Sequence, residues 1–119
     1  MEVSVEQLER DGFGTSPLFE ALILEFNSET VGFALFYYRY STWKGKSLYL
    51  EDLYVDPEYR NNGIGLAVMK HLVNHAIKTD CKRFEWQVLD WNTPSIEFYK
   101  KIGAELDSEW INCKLRHSQ

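Results

Sequence analysis

The stretch from about Gly63 to Thr79 constrains the fold of this chain more than any other. Its apolar residues are Leu66, Val68, Met69, Leu72, Val73, Ala76 and Ile77, and its polar ones are Lys70, His71, Asn74, His75 and Lys78. At about 100° per residue the two sets fall on separate arcs, which predicts an amphipathic helix with one face packed on a sheet. The preceding residues supply the sheet. Leu22, Leu24 and Phe26 alternate within Glu20 to Phe26, a long aromatic run follows from Val31 to Tyr40, and Ser47 to Val55 is a third strand candidate. Turns at Asn27-Ser28-Glu29 and around Trp43-Lys44-Gly45-Lys46 predict an antiparallel meander.

Beyond the helix, Arg83 to Leu89 reads as a strand. Pro94 to Ile102 reads as a short helix with Pro in its first turn and Gly103 just past its end. Glu109 to Leu115 reads as a last strand. At the front, Ser4 caps a short helix from Val3 to Arg10 that stops at Asp11-Gly12-Phe13-Gly14. Strands in a row followed by β–α–β–α–β predict an α+β fold, a mixed sheet with helices packed on it. The 119 residues contain no repeat and no linker, so a single domain over 1–119 is expected. Four Trp, seven Tyr and seven Phe are enough for a packed core.

Charge and composition narrow the partners. The net charge is −5 and the sequence pI about 5.2, so a nucleic acid partner is not expected. No apolar run approaches the roughly 20 residues that span a bilayer, and Met1-Glu2-Val3-Ser4 lacks the features of a signal peptide, which points to a cytoplasmic protein without a membrane partner. Cys81 and Cys113 read as reduced thiols, the alternative being a catalytic Cys paired with a His. His71 and His75 have i, i+4 spacing that could hold a metal. They share a polar face with Lys70, Asn74 and Lys78 and have no evident third ligand, so a solvated surface is the better account and no metal is expected.

Three further features could carry chemistry. Arg60-Asn61-Asn62-Gly63-Ile64-Gly65 lies between a strand and the amphipathic helix. Its glycines allow a tight turn and close approach of a ligand, and the helix start offers free N–H groups to an anion, with Arg60 adding positive charge. A plain glycine-containing helix start is the alternative. It is not a dinucleotide fingerprint, because Val68 stands at the third glycine position, and not a P-loop, because no Gly-Lys-Ser/Thr follows. Glu51 and Asp52 are adjacent within a strand, so alternation predicts opposite faces and at least one sheltered carboxylate. The alternatives are a structural ion pair or a strand end in solvent. Tyr99 shares a helix face with Ser95, Ile96 and Ile102, which holds its ring on the protein and leaves its phenol needing a partner; an ordinary core tyrosine is the alternative.

In their order along the chain these pieces resemble the GNAT superfamily of N-acetyltransferases over about residues 20 to 115. The features are a strand ending Leu53-Tyr54-Val55, Pro57, Arg60-x-x-Gly63-x-Gly65 opening a helix, then Asn92, a helix bearing Tyr99, and Gly103-Ala104. Asp11-Gly12-Phe13-Gly14, Tyr49-Leu50-Glu51-Asp52 and Trp91-Asn92 with Phe98-Tyr99-Lys100 are similar to the diamine (spermidine/spermine) acetyltransferase family. Tyr40-Ser41-Thr42-Trp43-Lys44-Gly45 resembles its thialysine branch, since the polyamine branch has an acidic residue where Ser41 stands.

The resemblance implies a GNAT-like acyl-CoA N-acyltransferase fold with acetyl-CoA as co-substrate and a small primary amine as acceptor. The backbone at Leu53, Tyr54 and Val55 would hold the pantetheine arm. Arg60, Asn61, Asn62, Gly63, Ile64, Gly65 and Leu66 would hold the pyrophosphate, and Asn92, Ser95 and Lys101 would complete the CoA site. Tyr99 would be the general acid and Glu51 the base, through water. Trp43, Asp52, Glu85, Trp86, Gln87 and Trp110 would line the acceptor side. A homodimer is implied, with Trp110 and Ile111 at its interface. The family's first strand and helix would precede the position of Val3, so an N-terminally shortened chain is expected. Two other readings are an acetyl-CoA-binding module with an incomplete acceptor site and a protein lysine or N-terminal acetyltransferase.

Overall fold

A computed structural model of the chain describes residues 4–107 and 111–116. The chain divides into two compact units at the junction of Gln87 and Val88.

The first unit opens with α1 (Val5–Phe13). Ser4 caps it as expected, its hydroxyl accepting the Gln7 N–H at 3.1 Å. The helix runs past its expected end at Arg10. Gly12 continues it because the Phe19 ring lies where a side chain at position 12 would be, so this glycine serves packing rather than termination.

Three strands follow: β1 (Glu20–Phe26), β2 (Glu29–Ser41) and β3 (Gly45–Val55). They form the antiparallel meander that the sequence predicts. Asn27 and Ser28, with φ of 51° and 67°, make a two-residue hairpin turn whose twist matches that of the strands. At the second turn the Ser41 hydroxyl accepts the N–H groups of Trp43 and Lys44, both at 3.1 Å. A fourth strand, β4 (Arg83–Trp86), pairs parallel with β3, giving the order β1-β2-β3-β4. The expected strand to Leu89 therefore stops three residues early. Its ladder ends at Leu50↔Trp86, immediately before β3 bulges, and a bulge bends its strand away from the neighbour's register.

A short 3₁₀ turn, Pro57–Tyr59, leads to α2 (Ile64–Lys78), which packs on β3 and β4. Val68, Met69, Leu72 and Ala76 are buried with Ala34, Phe36, Leu48 and Leu50 to form the core. The helix's apolar arc is wider than the strip the sheet covers. Val73 and Ile77, expected inside, are 42% and 68% exposed. His75, expected on the solvated face, instead lies at the edge of the contact. Its ring is 5.5 Å from that of Phe36, and its Nε2 is 2.9 Å from the Tyr38 hydroxyl. The helix closes on Asp80 at φ 60°, with Cys81 N–H bonded to Ala76 C=O and Asp80 N–H to Ile77 C=O, both bonds of a Schellman motif.

The second unit contains α3 (Thr93–Lys101), which starts within one residue of its expected position. Gly103 at φ 91° and Ala104 close it with the same motif, their N–H groups bonding Lys100 and Tyr99 carbonyls. The expected last strand is not found over Ile111–Arg116, which has no regular structure. Ile111, Cys113 and Leu115 alternate, but a strand requires a ladder partner and these residues have none among the described ones; Glu109 lies outside the described residues. The fold is α+β, a mixed sheet with helices, as expected. Among the described residues, no helix is long and apolar enough to cross a membrane.

Candidate active site

The chemistry-bearing residues of the first unit gather where β3 breaks its regular pairing. Leu35 pairs with Asp52 and Phe36 with Leu50, so Glu51 is the extra residue of a β-bulge. The bulge overturns the expectation that Glu51 and Asp52 point to opposite faces. Asp52 lies opposite Leu35, and the Glu51 carboxylate accepts a hydrogen bond at 3.0 Å from the hydroxyl of Tyr37, two residues from Leu35. Both acids thus share the face that carries Leu35 and Tyr37. The expected sheltering is also absent, since both are exposed. Exposure removes the argument from desolvation and keeps both carboxylates accessible.

Aromatic rings floor this face. Tyr37 lies opposite Tyr49 with ring centroids 5.4 Å apart, and the Arg39 guanidinium lies 4.5 Å from the Tyr49 centroid. The Tyr37 phenol is pushed up to about 12, first by burial and then by the hydrogen bond and negative charge of Glu51. Burial also raises Tyr49. Glu85 pairs with Tyr49 across β3 and β4 and so joins the face, where Arg83 lies 3.7 Å from its carboxylate. Trp86 pairs with Leu50 and therefore lies on the opposite side of β4. Gln87, just past the strand, is exposed, and Trp43 at the hairpin tip is 92% exposed. The structure therefore brings Glu51, Asp52 and Glu85 together and leaves Trp43 and Trp86 apart from them.

Along the same strand, Leu53, Tyr54 and Val55 pair with β2, while the β3–β4 ladder has already ended at Leu50. An extended chain with amide groups can pair with such an edge. The following turn is internally braced. Arg60 donates from Nε to the Val55 carbonyl at 2.9 Å, with its guanidinium 5.9 Å from the Tyr54 ring centroid. Asn61 takes a left-handed conformation at φ 67°, which Asn tolerates. The Asn62 amide donates to the Tyr59 carbonyl at 2.9 Å and the Arg60 carbonyl at 3.3 Å.

Gly63 at φ 76° opens α2. The first intrahelical bond runs from Ala67 N–H to Gly63 C=O at 3.0 Å, so the N–H groups of Ile64, Gly65 and Leu66 precede it at the positive end of the helix. A Cβ added at Gly65 would meet nothing within 4 Å. Neither internal packing nor a positive φ requires glycine there, although glycine in a helix costs about 0.5–1 kcal/mol relative to alanine. The open space beside unbonded amides fits a phosphate-bearing molecule that approaches the backbone.

In the second unit Asn92 and Ser95 have a structural role, since Asn92 Oδ1 accepts the Ser95 N–H at 3.3 Å and caps α3. Lys101 occupies the last turn of that helix and is exposed. Tyr99 is half-buried, and burial raises its phenol above its ordinary value, so it is protonated at neutral pH. Trp110 lies outside the described residues. Sequence reasoning missed Tyr37 and Arg39. Period-two alternation in the aromatic run puts them on one face, but only the cross-strand register sets them beside Tyr49 and Glu51.

A bulged carboxylate, a strand edge without a ladder partner among the described residues and a glycine-opened helix start follow one another along one strand–turn–helix, an arrangement with room for an extended chain at the edge and an anion at the helix start. The acetyltransferase (GNAT) family model matches residues 3–104, and the chain belongs to this family. It is 42% identical over 112 residues to a thialysine N-epsilon-acetyltransferase of Sus scrofa, an alignment that covers 87% of this chain and 66% of that protein. It is 45% identical over 117 residues to spermidine/spermine N(1)-acetyltransferase-like protein 1 of Homo sapiens, covering 92% of this chain and 17% of that protein. Among solved structures, an integron cassette protein from the mobile metagenome of V. cholerae superposes with a TM-score of 0.81 at 28% identity, covering 96% of this chain and 74% of the other. The chain thus spans slightly less than two thirds of the pig relative and a sixth of the human one.

Proposed function

We propose that the protein transfers acetyl from acetyl-CoA to a small primary amine of the thialysine, lysine or diamine type. The observation that carries this reading is the continuous run from Glu51 to Leu66. It sets an accessible carboxylate, a strand edge unpaired among the described residues and a helix start with free N–H groups along one stretch of chain. Family membership and the names of the relatives support it.

In this reading the N–H groups of Ile64, Gly65 and Leu66 hold the pyrophosphate, and the open edge at Leu53, Tyr54 and Val55 pairs with the pantetheine arm. Arg60, Asn61 and Asn62 shape the turn that presents those amides. Asn92, Ser95 and Lys101 add to the CoA site. The acceptor arrives as an ammonium with a pKa of about 10.4 and must lose a proton before it can attack. Glu51, directly or through water, takes that proton, with Asp52 and Glu85 making the face favourable for a cation. The free amine then attacks the thioester carbonyl, the C–N bond forms and the C–S bond breaks. The departing thiolate receives a proton from Tyr99, which burial keeps in its phenol form, and the proton that the attacking nitrogen sheds to water restores the phenol. Glu51 and Tyr99 belong to different units, and each role is tested by its own substitution.

The test is thiol release from acetyl-CoA with thialysine, lysine, putrescine and spermidine. Release with any of them supports the proposal. Silence with all four, alongside measurable acetyl-CoA binding, would replace it with a binding module. The proposal also carries a homodimer and a cytoplasmic setting, read by light scattering and by cell fractionation.

A further inference from the structure

The face that carries the carboxylates also carries two arginines, Arg83 beside Glu85 and Arg39. Arg39 follows Tyr37 by two residues on β2, so the two side chains share a face. Its guanidinium lies on the ring of Tyr49, 4.5 Å from the centroid. Tyr49 is only 7% exposed and packs against Tyr37, so the ring is a fixed platform. Among the described residues Arg39 makes no ion pair, whereas Glu51 is held by Tyr37 and Glu85 lies beside Arg83. A guanidinium over a ring face engages the ring through its charge and keeps N–H donors for a planar carboxylate.

We infer that Arg39 is the specificity-determining residue of the acceptor site, and that it selects amines that also carry a carboxylate. The inference rests on the reading of Glu51 as the base. The spacing supports it. Tyr49 precedes Glu51 by two residues, roughly 6–7 Å of strand. In an extended lysine, ordinary bond lengths place the terminal nitrogen about 6 Å from the α-carbon. An amine delivered to Glu51 therefore brings its α-carboxylate to the Tyr49 ring, where Arg39 lies. A diamine of the same length brings the same second ammonium without the carboxylate that offsets it, and so meets Arg39 as an uncompensated like charge. Arg39 thus favours amino acids with a terminal amine and disfavours diamines and polyamines, and it does so through binding rather than through the chemical step.

Lysine and cadaverine make the matched test, because they differ only in the carboxylate. Steady-state kcat/KM for both is measured by thiol release with the wild-type chain, Arg39→Gln and Arg39→Lys. Arg39 is exposed, so the variants are expected to fold, and circular dichroism verifies that they do. The expected result is a wild-type preference for lysine of about tenfold or more. That preference should collapse in Arg39→Gln through a higher KM for lysine and a lower one for cadaverine, and recover in part in Arg39→Lys. A wild-type preference for cadaverine, or an unchanged ratio in Arg39→Gln, overturns the inference while leaving amine acetylation standing. Silence with both lysine and cadaverine while another amine is acetylated overturns the inference alone, and silence with every amine tested overturns the acetyl-transfer reading and the inference with it.

Discussion

Tyr37 donates its phenolic hydrogen to Glu51 Oε1 at 3.0 Å, across the ladder at the residue where β3 bulges. The bulge takes Glu51 out of the backbone register, so its position depends on this side-chain contact. Tyr37→Phe retains the ring beside Tyr49 and removes only the donor. A hydrogen bond to a charged group contributes about 1.5–3 kcal/mol, and the exposure of Glu51 favours the low end. The expected outcome is a fall in kcat of about tenfold. The KM for acetyl-CoA should not change, because the amides of α2 are untouched. Steady-state kinetics decide between this and a purely structural contact, which would leave kcat intact.

The same contact has a signature at high pH. Tyr37 titrates at about 12, against an ordinary phenol value near 10. Since the folded value is the higher one, the stabilisation is fully present below pH 10 and is lost as the pH rises from there through 12. Glu51→Gln removes the negative charge but not the burial, which is the largest cause, so the titration should move down without reaching 10. Tyr59, held by Glu29, also titrates at about 12, so subtracting the Tyr37→Phe curve assigns the signal. Tyrosinate absorbance reads it. A Tyr37 titration that is the same in wild type and Glu51→Gln would mean that the contact is not made in solution.

Asp80 closes α2 in the left-handed region, at φ 60°, where Gly103 does the equivalent work for α3. Left-handed backbone costs an L-residue about 1–2 kcal/mol, less for Asp than for most. Its contact with Lys82 at 3.4 Å is exposed and contributes little. Asp80→Gly should therefore raise stability by about 0.5–1 kcal/mol, seen as a melting temperature a few degrees higher. An unchanged or lower value would show that the Asp80 carboxylate does more for the helix end than its contacts suggest.

The sequence was most informative where a signal is local. The meander, the long helix and the helix bearing Tyr99 follow from periodicity, turn residues and caps, all read within a few residues. The bulge at Glu51 is a property of two strands, and unbroken alternation was the wrong rule for Glu51 and Asp52. Tyr37 and Arg39 were hidden for the same reason, since their value comes from the residues opposite them. His75 was misplaced because the buried strip of α2, along Val68, Leu72 and Ala76, lies to one side of the apolar arc, which leaves Val73 and Ile77 exposed and brings His75 against Phe36. Ile111, Cys113 and Leu115 alternate like a strand but form no ladder among the described residues. For the anion cradle, the glycines alone left a plain helix start open, and the empty space at Gly65 is what favours a ligand.

Gly63 and Gly65 separate those two explanations, because their substitutions should act in opposite directions. Gly63 has a φ of 76°, so Gly63→Ala strains the backbone and should cost about 1–2 kcal/mol of stability. Gly65 has no positive φ, and an added Cβ meets no protein atom within 4 Å. Gly65→Ala should therefore stabilise the chain, by about 0.5–1 kcal/mol, through helix propensity. The same methyl group would occupy the space beside the N–H groups of Ile64 and Leu66, where a phosphate approaches the backbone. Affinity for acetyl-CoA should fall by about tenfold, the equivalent of one lost hydrogen bond of about 1.4 kcal/mol. Thermal melts and calorimetric titration with acetyl-CoA measure the two effects on the same protein. A more stable Gly65→Ala chain that binds acetyl-CoA as tightly as wild type would show that the glycine does not serve the ligand, and the cradle would have to be sought elsewhere than at the start of α2.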